Sequence, residues 1–203
     1  MTINRISAVV TVVLSLLLIS TVGGCAFVDE NITLQPTSVL PPSAVGSGQR
    51  VGVNVVDERT TSIIGRRGPM RSAEIQAAQD VRKVVDNAVN QGMRNQGFVP
   101  VPYTKAEPVT LEVQVREFSY DTSTGFFTGG IHTRAALKAI ARRSEDGFEE
   151  MYRTEEEDRV IVVPTEASDA ERLNLVLSHT IDQMLADQRL LSPLYAPPCI
   201  GDL

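Results

Sequence analysis

Length, composition and charge are those of an ordinary globular protein with one domain. The chain has 203 residues, of which 42% are hydrophobic and 22% are charged, and it contains 14 glycines. These fractions argue against collagen-like, wholly disordered and polytopic membrane proteins. Its formal net charge is -6, so the chain offers nucleic acid no general electrostatic attraction.

The first 24 residues have the pattern of a secretory signal peptide. Arg5 precedes an apolar stretch from Ala8 to Val22, which at about 15 residues is shorter than a membrane-spanning helix. The junction Val22-Gly23-Gly24-Cys25 resembles the bacterial lipobox, in which small residues precede a cysteine that accepts lipid. We therefore predict that residues 1–24 are cleaved and that acyl chains on Cys25 hold the protein on a membrane. The alternative is an ordinary signal peptide followed by a chance cysteine.

The residues after Cys25 predict the membrane to which the protein is sorted and the way in which its domain is joined to that membrane. In the enteric Gram-negative scheme an aspartate at the next position retains a lipoprotein in the inner membrane, whereas this chain has Ala26-Phe27. We therefore expect the bacterial outer membrane, with the folded part facing the periplasm. Residues 25–48 are rich in proline and glycine, which predicts a flexible tether between membrane and domain.

The first half of the remaining sequence predicts a strand, a helix and two further strands. Residues 51–57 alternate apolar and polar positions, as a strand does. Residues 72–96 repeat apolar side chains three and four positions apart, which is typical of an amphipathic helix, and Gly97 is placed to end it. Strands at 97–101 and 109–120 follow. The alternation in the second of these slips near Arg116-Glu117, which indicates a bulge.

The second half predicts two more strands and a last helix. Residues 133–143 are ambiguous, because their alanines favour a helix while alternate positions also form one face of a strand. We favour the strand, because Asp146-Gly147 then forms a hairpin turn to a strand over 148–163. Ser168 and Glu171 have the spacing of a capping box at the start of the last helix.

These elements predict an α+β fold in a single domain at residues 49–190. The expected order is β-α-β-β-β-β-α, with an antiparallel or mixed sheet of about four to five strands and two helices packed on one face. A proline-rich tail at 191–203 follows the domain.

Several short motifs carry a family resemblance. They are V-x-V-x-x-x-D-x-R at 51–59, Ile64-Gly65-Arg66, Gln96-Gly97-Phe98, the strand from Val109 to Tyr120, and Asn174 to Leu177 ending in Asp187-x-x-Leu190. In this order, and behind a lipobox, they resemble the YajG-type bacterial lipoproteins over about residues 50–194. The resemblance implies a lipid-anchored periplasmic α+β domain, and it lends no catalytic residue.

The sequence shows no motif for catalysis or metal binding. His132 and His179 lie in different predicted elements, and no zinc, calcium or nucleophile spacing occurs. Cys199 has no histidine nearby in the sequence, and lipid on Cys25 would leave it without an intrachain partner. We therefore expect no metal, no cofactor and no enzymatic activity.

Two loops are candidates for contact with a partner. The first carries Arg59, Arg66, Arg67 and Arg71 ahead of a helix, where phosphate or carboxylate groups would be favoured unless the arginines pair with neighbouring acids. The second carries Phe126 and Phe127, which either cap the core or offer an exposed apolar contact.

These observations favour a non-catalytic module that binds another envelope component. The partner would be an envelope protein or peptidoglycan, and contact would be made through the sheet face or through the two loops. The alternative is a small-ligand carrier or an enzyme whose site is assembled from scattered residues.

Overall fold

The computed structural model describes residues 28–67, 72–124, 129–144, 146–160 and 165–195. Within these ranges the chain forms eight strands and three helices. The strands are β1 (Glu30–Ile32), β2 (Arg50–Asp57), β3 (Ile63–Arg67), β4 (Ala73–Ala77), β5 (Val99–Pro102), β6 (Val109–Thr124), β7 (Gly129–Arg143) and β8 (Asp146–Val160). The helices are α1 (Val81–Asn95), α2 (Glu166–Ala186) and α3 (Gln188–Leu191), and a 3-10 turn follows at Ser192–Leu194.

The strands form one mixed sheet organised around β6. One edge of β6 is shared by two parallel neighbours, since residues 110–115 pair with β2 while Tyr120 and Asp121 pair with β3. The other edge pairs antiparallel with β7, which in turn pairs antiparallel with β8. Strand β5 extends the sheet beyond β2, and β4 and β1 extend it beyond β3. The predicted α+β class is confirmed, but the predicted four to five strands and two helices are fewer than the structure contains.

A bulge in β6 explains how its apolar side chains stay on the core side. The register with β7 shifts between Val115 and Glu117, where the sequence predicted the bulge. Val113 and Val115 are buried before it, and Phe118 and Tyr120 are buried after it. Because one extra residue reverses the alternation of a strand, the bulge keeps both halves facing the helices.

Helices α1 and α2 contribute to the same hydrophobic core. Val85 and Val89 of α1 join Leu173 and Leu177 of α2 in one buried cluster that also contains Leu137 of β7. Gly97 has a φ of 82° just after α1, which agrees with its predicted role as a helix stop. None of the helices in the described part of the chain is long and apolar enough to span a bilayer.

The start of each long helix differs from the prediction. Residues 72–96 were expected to be one helix, but Ala73–Ala77 is strand β4, and α1 begins only after its N-cap, Asp80. Ala73 and Ile75 are buried at alternate positions, as in a strand. With only five residues, the segment is too short for its sequence to distinguish this period from that of the helix that follows. The capping box of α2 is formed by Thr165 and Ser168 rather than by Ser168 and Glu171.

Strand β3 approaches β6 closely because of Gly65. A Cβ atom at this position would lie 2.0 Å from the carbonyl oxygen of Tyr120, so any side chain would separate the two strands. The glycine of the Ile64-Gly65-Arg66 motif therefore allows the contact on which the sheet depends.

The structure also differs from the predicted tether and tail. Residues 25–48 were expected to form a flexible tether, yet Glu30–Ile32 is a strand, and Ile32 and Leu34 are buried in the core. The expected tail began at residue 191, but Leu191 and Leu194 are buried as well. The apolar side chains of these segments account for both differences, because their burial stabilises chain whose proline content predicts no regular structure.

Candidate functional site

The predicted arginine loop contains three arginines that the structure describes, and each has a carboxylate partner. Arg59 binds Asp57 through two hydrogen bonds, of 2.9 Å from Nε and 2.7 Å from Nη2. The hydrogen bonds from Arg59 also hold the pKa of Asp57 below its usual value, against the opposing effect of burial. Pairing with a neighbouring acid was the alternative to anion binding that we gave for these arginines. Contact with an external anion stays a prediction.

Arg66 and Arg67 are consecutive but lie on opposite faces of β3. The Arg66 side chain is 46% exposed, and its guanidinium lies 2.6 Å from a carboxylate oxygen of Glu74. The Arg67 side chain is only 6% exposed, and it lies 2.8 Å from Asp169 of α2 while also pairing with Glu30 of β1. Arg67 therefore joins three elements inside the fold.

Asp169 is the centre of this buried cluster. It is fully buried, and its Oδ1 accepts a hydrogen bond of 2.8 Å from the Tyr120 hydroxyl. Arg172 lies 3.6 Å from the same oxygen. Burial raises the pKa of both Asp169 and Glu30, although the neighbouring Arg67 opposes this effect. Burial beside Asp169 also raises the pKa of Tyr120, so the hydroxyl stays protonated and acts as a hydrogen-bond donor to Asp169.

An extended segment that we call the strap, residues 33–39, runs along α2. Alternate backbone N–H groups of the strap donate to side chains spaced four residues apart on the helix. The bonds join Gln35 to Asn174 at 2.6 Å, Thr37 to Ser178 at 2.9 Å and Val39 to Asp182 at 3.0 Å. Two residues of extended chain rise about 6.6 Å and four helical residues rise about 6 Å, so the two spacings match.

Sequence reasoning missed the strap, although the polar positions of α2 contained a signal. Ser178 and Asp182 are buried polar residues on the same helical stripe as Asn174. Buried polar side chains need hydrogen-bond partners. Asn174, Ser178 and Asp182 form a stripe of polar residues spaced four positions apart, two of them buried, which indicates a backbone segment packed against that face of the helix.

The start of β1 and the ends of several other strands lie at one end of the sheet, which we call the anchor end. Glu30 lies opposite Ile75, and Arg66 lies opposite both Glu74 and Asp121. Strand β1 therefore begins where β3 and β6 end. The pairs Thr124–Gly129 and Gly129–Val160 place the start of β7 and the end of β8 at the same end.

Four predicted site residues lie outside the residues that the structure describes: Cys25, Arg71, Phe126 and Phe127. Residues 68–71, 125–128 and 161–164 each connect elements that terminate at the anchor end. The described residues on either side of Arg71 and of the two phenylalanines therefore lie at the anchor end. The contacts of the four predicted residues stay predictions.

Open clefts are present on the described surface. One, of about 320 Å³, lies between the end of β2 and the start of α1, and Arg59, Thr60 and Gln76 are among its lining residues. Another, of about 470 Å³, lies between the strap and α1. Within the described ranges, no group of three or more His, Cys, Asp or Glu residues is arranged to hold a metal ion.

Comparisons with solved structures show distant likenesses. Protein XCC0632 from Xanthomonas campestris is 14% identical with a TM-score of 0.48, over 78% of this chain and 91% of that one. A neuraminyllactose-binding hemagglutinin homolog from Helicobacter pylori is 9% identical with a TM-score of 0.42, over 78% and 95%. A lipoprotein from Caulobacter crescentus is 8% identical with a TM-score of 0.37, over 66% and 84%. At these values the likenesses do not extend to function.

A comparison with curated proteins finds no match. By contrast, a family model described as an uncharacterised lipoprotein matches residues 36–194. The match includes residues 36–39 of the strap, the whole sheet apart from β1, and all three helices. It confirms the resemblance that the sequence motifs indicated. The chain therefore belongs to this family of uncharacterised bacterial lipoproteins, the YajG family.

Proposed function

We propose that this lipoprotein is anchored to the outer membrane by lipid on Cys25, faces the periplasm and acts as a non-catalytic binding module at the membrane surface. The observation that carries the proposal is the early start of the fold. Glu30, the fifth residue after Cys25, is already paired with Arg67 in the buried cluster.

The short distance between Cys25 and Glu30 limits where the domain can be. Five extended residues span at most about 18 Å, whereas a flexible tether of residues 25–48 would have reached about 80 Å if fully extended. The domain is therefore held beside the membrane that contains the lipid. This position favours a partner at the membrane surface, such as an envelope protein, over peptidoglycan at a greater distance.

The use of polar side chains in the described fold supports a role in binding rather than catalysis. Tyr120 and Asp169 are both committed to the buried cluster. Tyr152 likewise donates a hydrogen bond of 2.8 Å to Asp187, which also pairs with Arg189. These groups hold elements together, and their hydrogen bonds leave them little freedom to act on a substrate.

A small-ligand carrier is the second candidate function. The cleft of about 320 Å³ beside Arg59 favours it, because polar side chains from two elements converge there. The Arg59 pair with Asp57 would fix the orientation of the guanidinium toward a ligand. Retention of a small molecule by the purified protein, lost in Thr60→Trp but kept in a variant at exposed Arg142, would favour this candidate.

The lipid anchor is tested by Cys25→Ser in cells fed a labelled fatty acid. We expect the variant to lose the label and to accumulate as an unprocessed precursor. Ser47→Ala, a change in a turn remote from the lipobox, serves as the control and should be labelled and processed normally. Continued labelling of Cys25→Ser would contradict the anchor.

The binding role is tested by photo-crosslinking in cells. A photoreactive residue at Phe126 or at exposed Arg66 should capture an envelope protein or a peptidoglycan fragment, and the capture should require Cys25. The same residue at buried Arg67 is unsuitable, because substitution there would disturb the cluster. If neither position captures an envelope component, binding through these loops is wrong.

A further inference from the structure

We propose that the anchor end of the sheet rests on the phospholipid headgroups of the membrane that holds the lipid. The long strands β6, β7 and β8 then point away from the bilayer. This inference rests on the proposed lipid anchor, and it adds an orientation and a contact surface that the anchor alone does not require.

The direction of β1 gives the first argument. Strand β1 runs parallel to β4, and both begin at the anchor end. The residue before β1 is also held, because the backbone N–H of Glu74 donates to the Asp29 carboxylate at 2.8 Å. Val28, one residue earlier, is 58% exposed. The chain therefore leaves the fold toward Cys25 in the direction in which the anchor end faces.

The length of chain before Glu30 gives the second argument. The reach from Glu30 to Cys25 is at most about 18 Å. Glu30 is level with Tyr120 through Ile75 and Gly65, and β6 continues four residues beyond Tyr120, so its end at Thr124 lies about 13 Å further toward the anchor. Strand β6 alone therefore extends over more than half of the distance that the chain between Glu30 and Cys25 can span.

The exposed side chains at the anchor end give the third argument. Arg66 and Arg159 are exposed there, and so are Asp29 and Glu166. Phospholipid headgroups carry phosphate groups together with ammonium groups in phosphatidylethanolamine. A surface that presents both signs of charge can pair with both groups, so it fits a zwitterionic lipid surface.

Strand β8 offers a matched pair of positions for the test. Glu149 and Arg159 are both exposed and lie on the same face of the strand. They are ten residues apart, which corresponds to about 34 Å along an extended strand. Arg159 is at the anchor end, whereas Glu149 is near the opposite end, where β8 begins.

The experiment uses the full-length, lipidated protein with Cys199→Ser, so that an introduced cysteine is the free thiol. Arg159→Cys and Glu149→Cys are labelled with a fluorophore and placed on vesicles of phosphatidylethanolamine and phosphatidylcholine. A fraction of the lipid carries a nitroxide quencher on its headgroup. We expect strong quenching at position 159 and little at position 149.

The possible outcomes distinguish a failure of the proposed orientation from a failure of the lipid anchor. Vesicle flotation of the same samples reports whether the lipid anchor is present. If the protein floats and position 149 is quenched as strongly as position 159, or neither is quenched, the orientation is wrong while the anchor stands. If the protein does not float, the anchor fails and the orientation fails with it.

Discussion

Arg66 and Arg67 are neighbours with identical side chains, yet the fold uses them in different ways. Arg66 is half exposed and pairs with one carboxylate, that of Glu74. Arg67 is buried and pairs with Glu30 and Asp169, which belong to other elements. An exposed ion pair contributes about 0–1 kcal/mol, whereas breaking a buried one leaves a charge without compensation and costs about 3–5 kcal/mol. Burial and the number of partners therefore decide what each arginine contributes.

Arg67→Ala should produce the largest effect. The substitution removes the cation of Glu30 and leaves Asp169 with only the more distant Arg172, at 3.6 Å, so we expect the free energy of unfolding to fall by about 3–5 kcal/mol. Urea denaturation monitored by circular dichroism measures this change. Arg66→Ala is the matched control, with an expected loss of about 0–1 kcal/mol. Equal losses in the two variants would contradict the difference between the two pairs.

Leu34→Ala tests whether the strap belongs to the core. Leu34 is buried, so we expect a loss of about 2–3 kcal/mol in the free energy of unfolding, in the lower part of the range for a buried leucine. Val39, in the same segment, is 79% exposed, and Val39→Ala should leave stability nearly unchanged. A flexible tether would make both substitutions neutral.

Tyr120→Phe removes one donor from the buried cluster and keeps the ring. The Asp169 carboxylate then loses a hydrogen bond of 2.8 Å, and we expect the free energy of unfolding to fall by about 1.5–3 kcal/mol. A double-mutant cycle with Asp169→Asn should show a coupling energy between the two sites. Additive effects of the two substitutions would indicate that the hydroxyl and the carboxylate act independently.

The pair of Asp187 and Arg189 contrasts with the buried cluster, because its arginine is exposed. Its contribution to stability should depend on pH. Hydrogen bonds from Arg189 and Tyr152 lower the pKa of Asp187 from 3.8 to about 2. A carboxyl with a lowered pKa stabilises the fold above its ordinary pKa and loses this contribution as the pH falls toward the lowered value. The stability difference between the wild type and Asp187→Asn should therefore shrink between pH 4 and pH 2, as measured by denaturation at each pH. A constant difference over this range would contradict the pairing.

The sequence predicted the long elements well because their patterns are long. Strand β6 and its bulge were predicted from twelve residues of alternation, 109–120, with one slip near Arg116. Strand β7 was predicted from a hairpin turn at Asp146-Gly147, but these two residues belong to β8, where they pair with Arg143 and Arg142. Strands β1, β3 and β4 have three to five residues each. So few positions carry too few apolar residues to show a period, and all three strands were missed.

The candidate site was harder to predict because it depends on contacts between distant residues. Arg67 and Asp169 are 102 positions apart, and nothing in the local sequence separates Arg67 from Arg66. The strap was interpreted as a tether because Pro36 and its neighbours lack a strand or helix pattern. Its hydrogen bonds go to side chains of α2, more than 130 residues away, and local patterns do not contain that information.

Hydrogen exchange of the strap amides in the full-length protein tests most directly whether the chain is held to the fold soon after Cys25. The N–H groups of Gln35, Thr37 and Val39 are bonded to α2, so they should exchange far more slowly than an unstructured peptide of the same sequence. Arg67→Ala should accelerate their exchange, since it releases β1 from the cluster. Exchange of all three amides at the unstructured rate in the wild type would contradict the packed strap and would return residues 25–48 to the role of a tether.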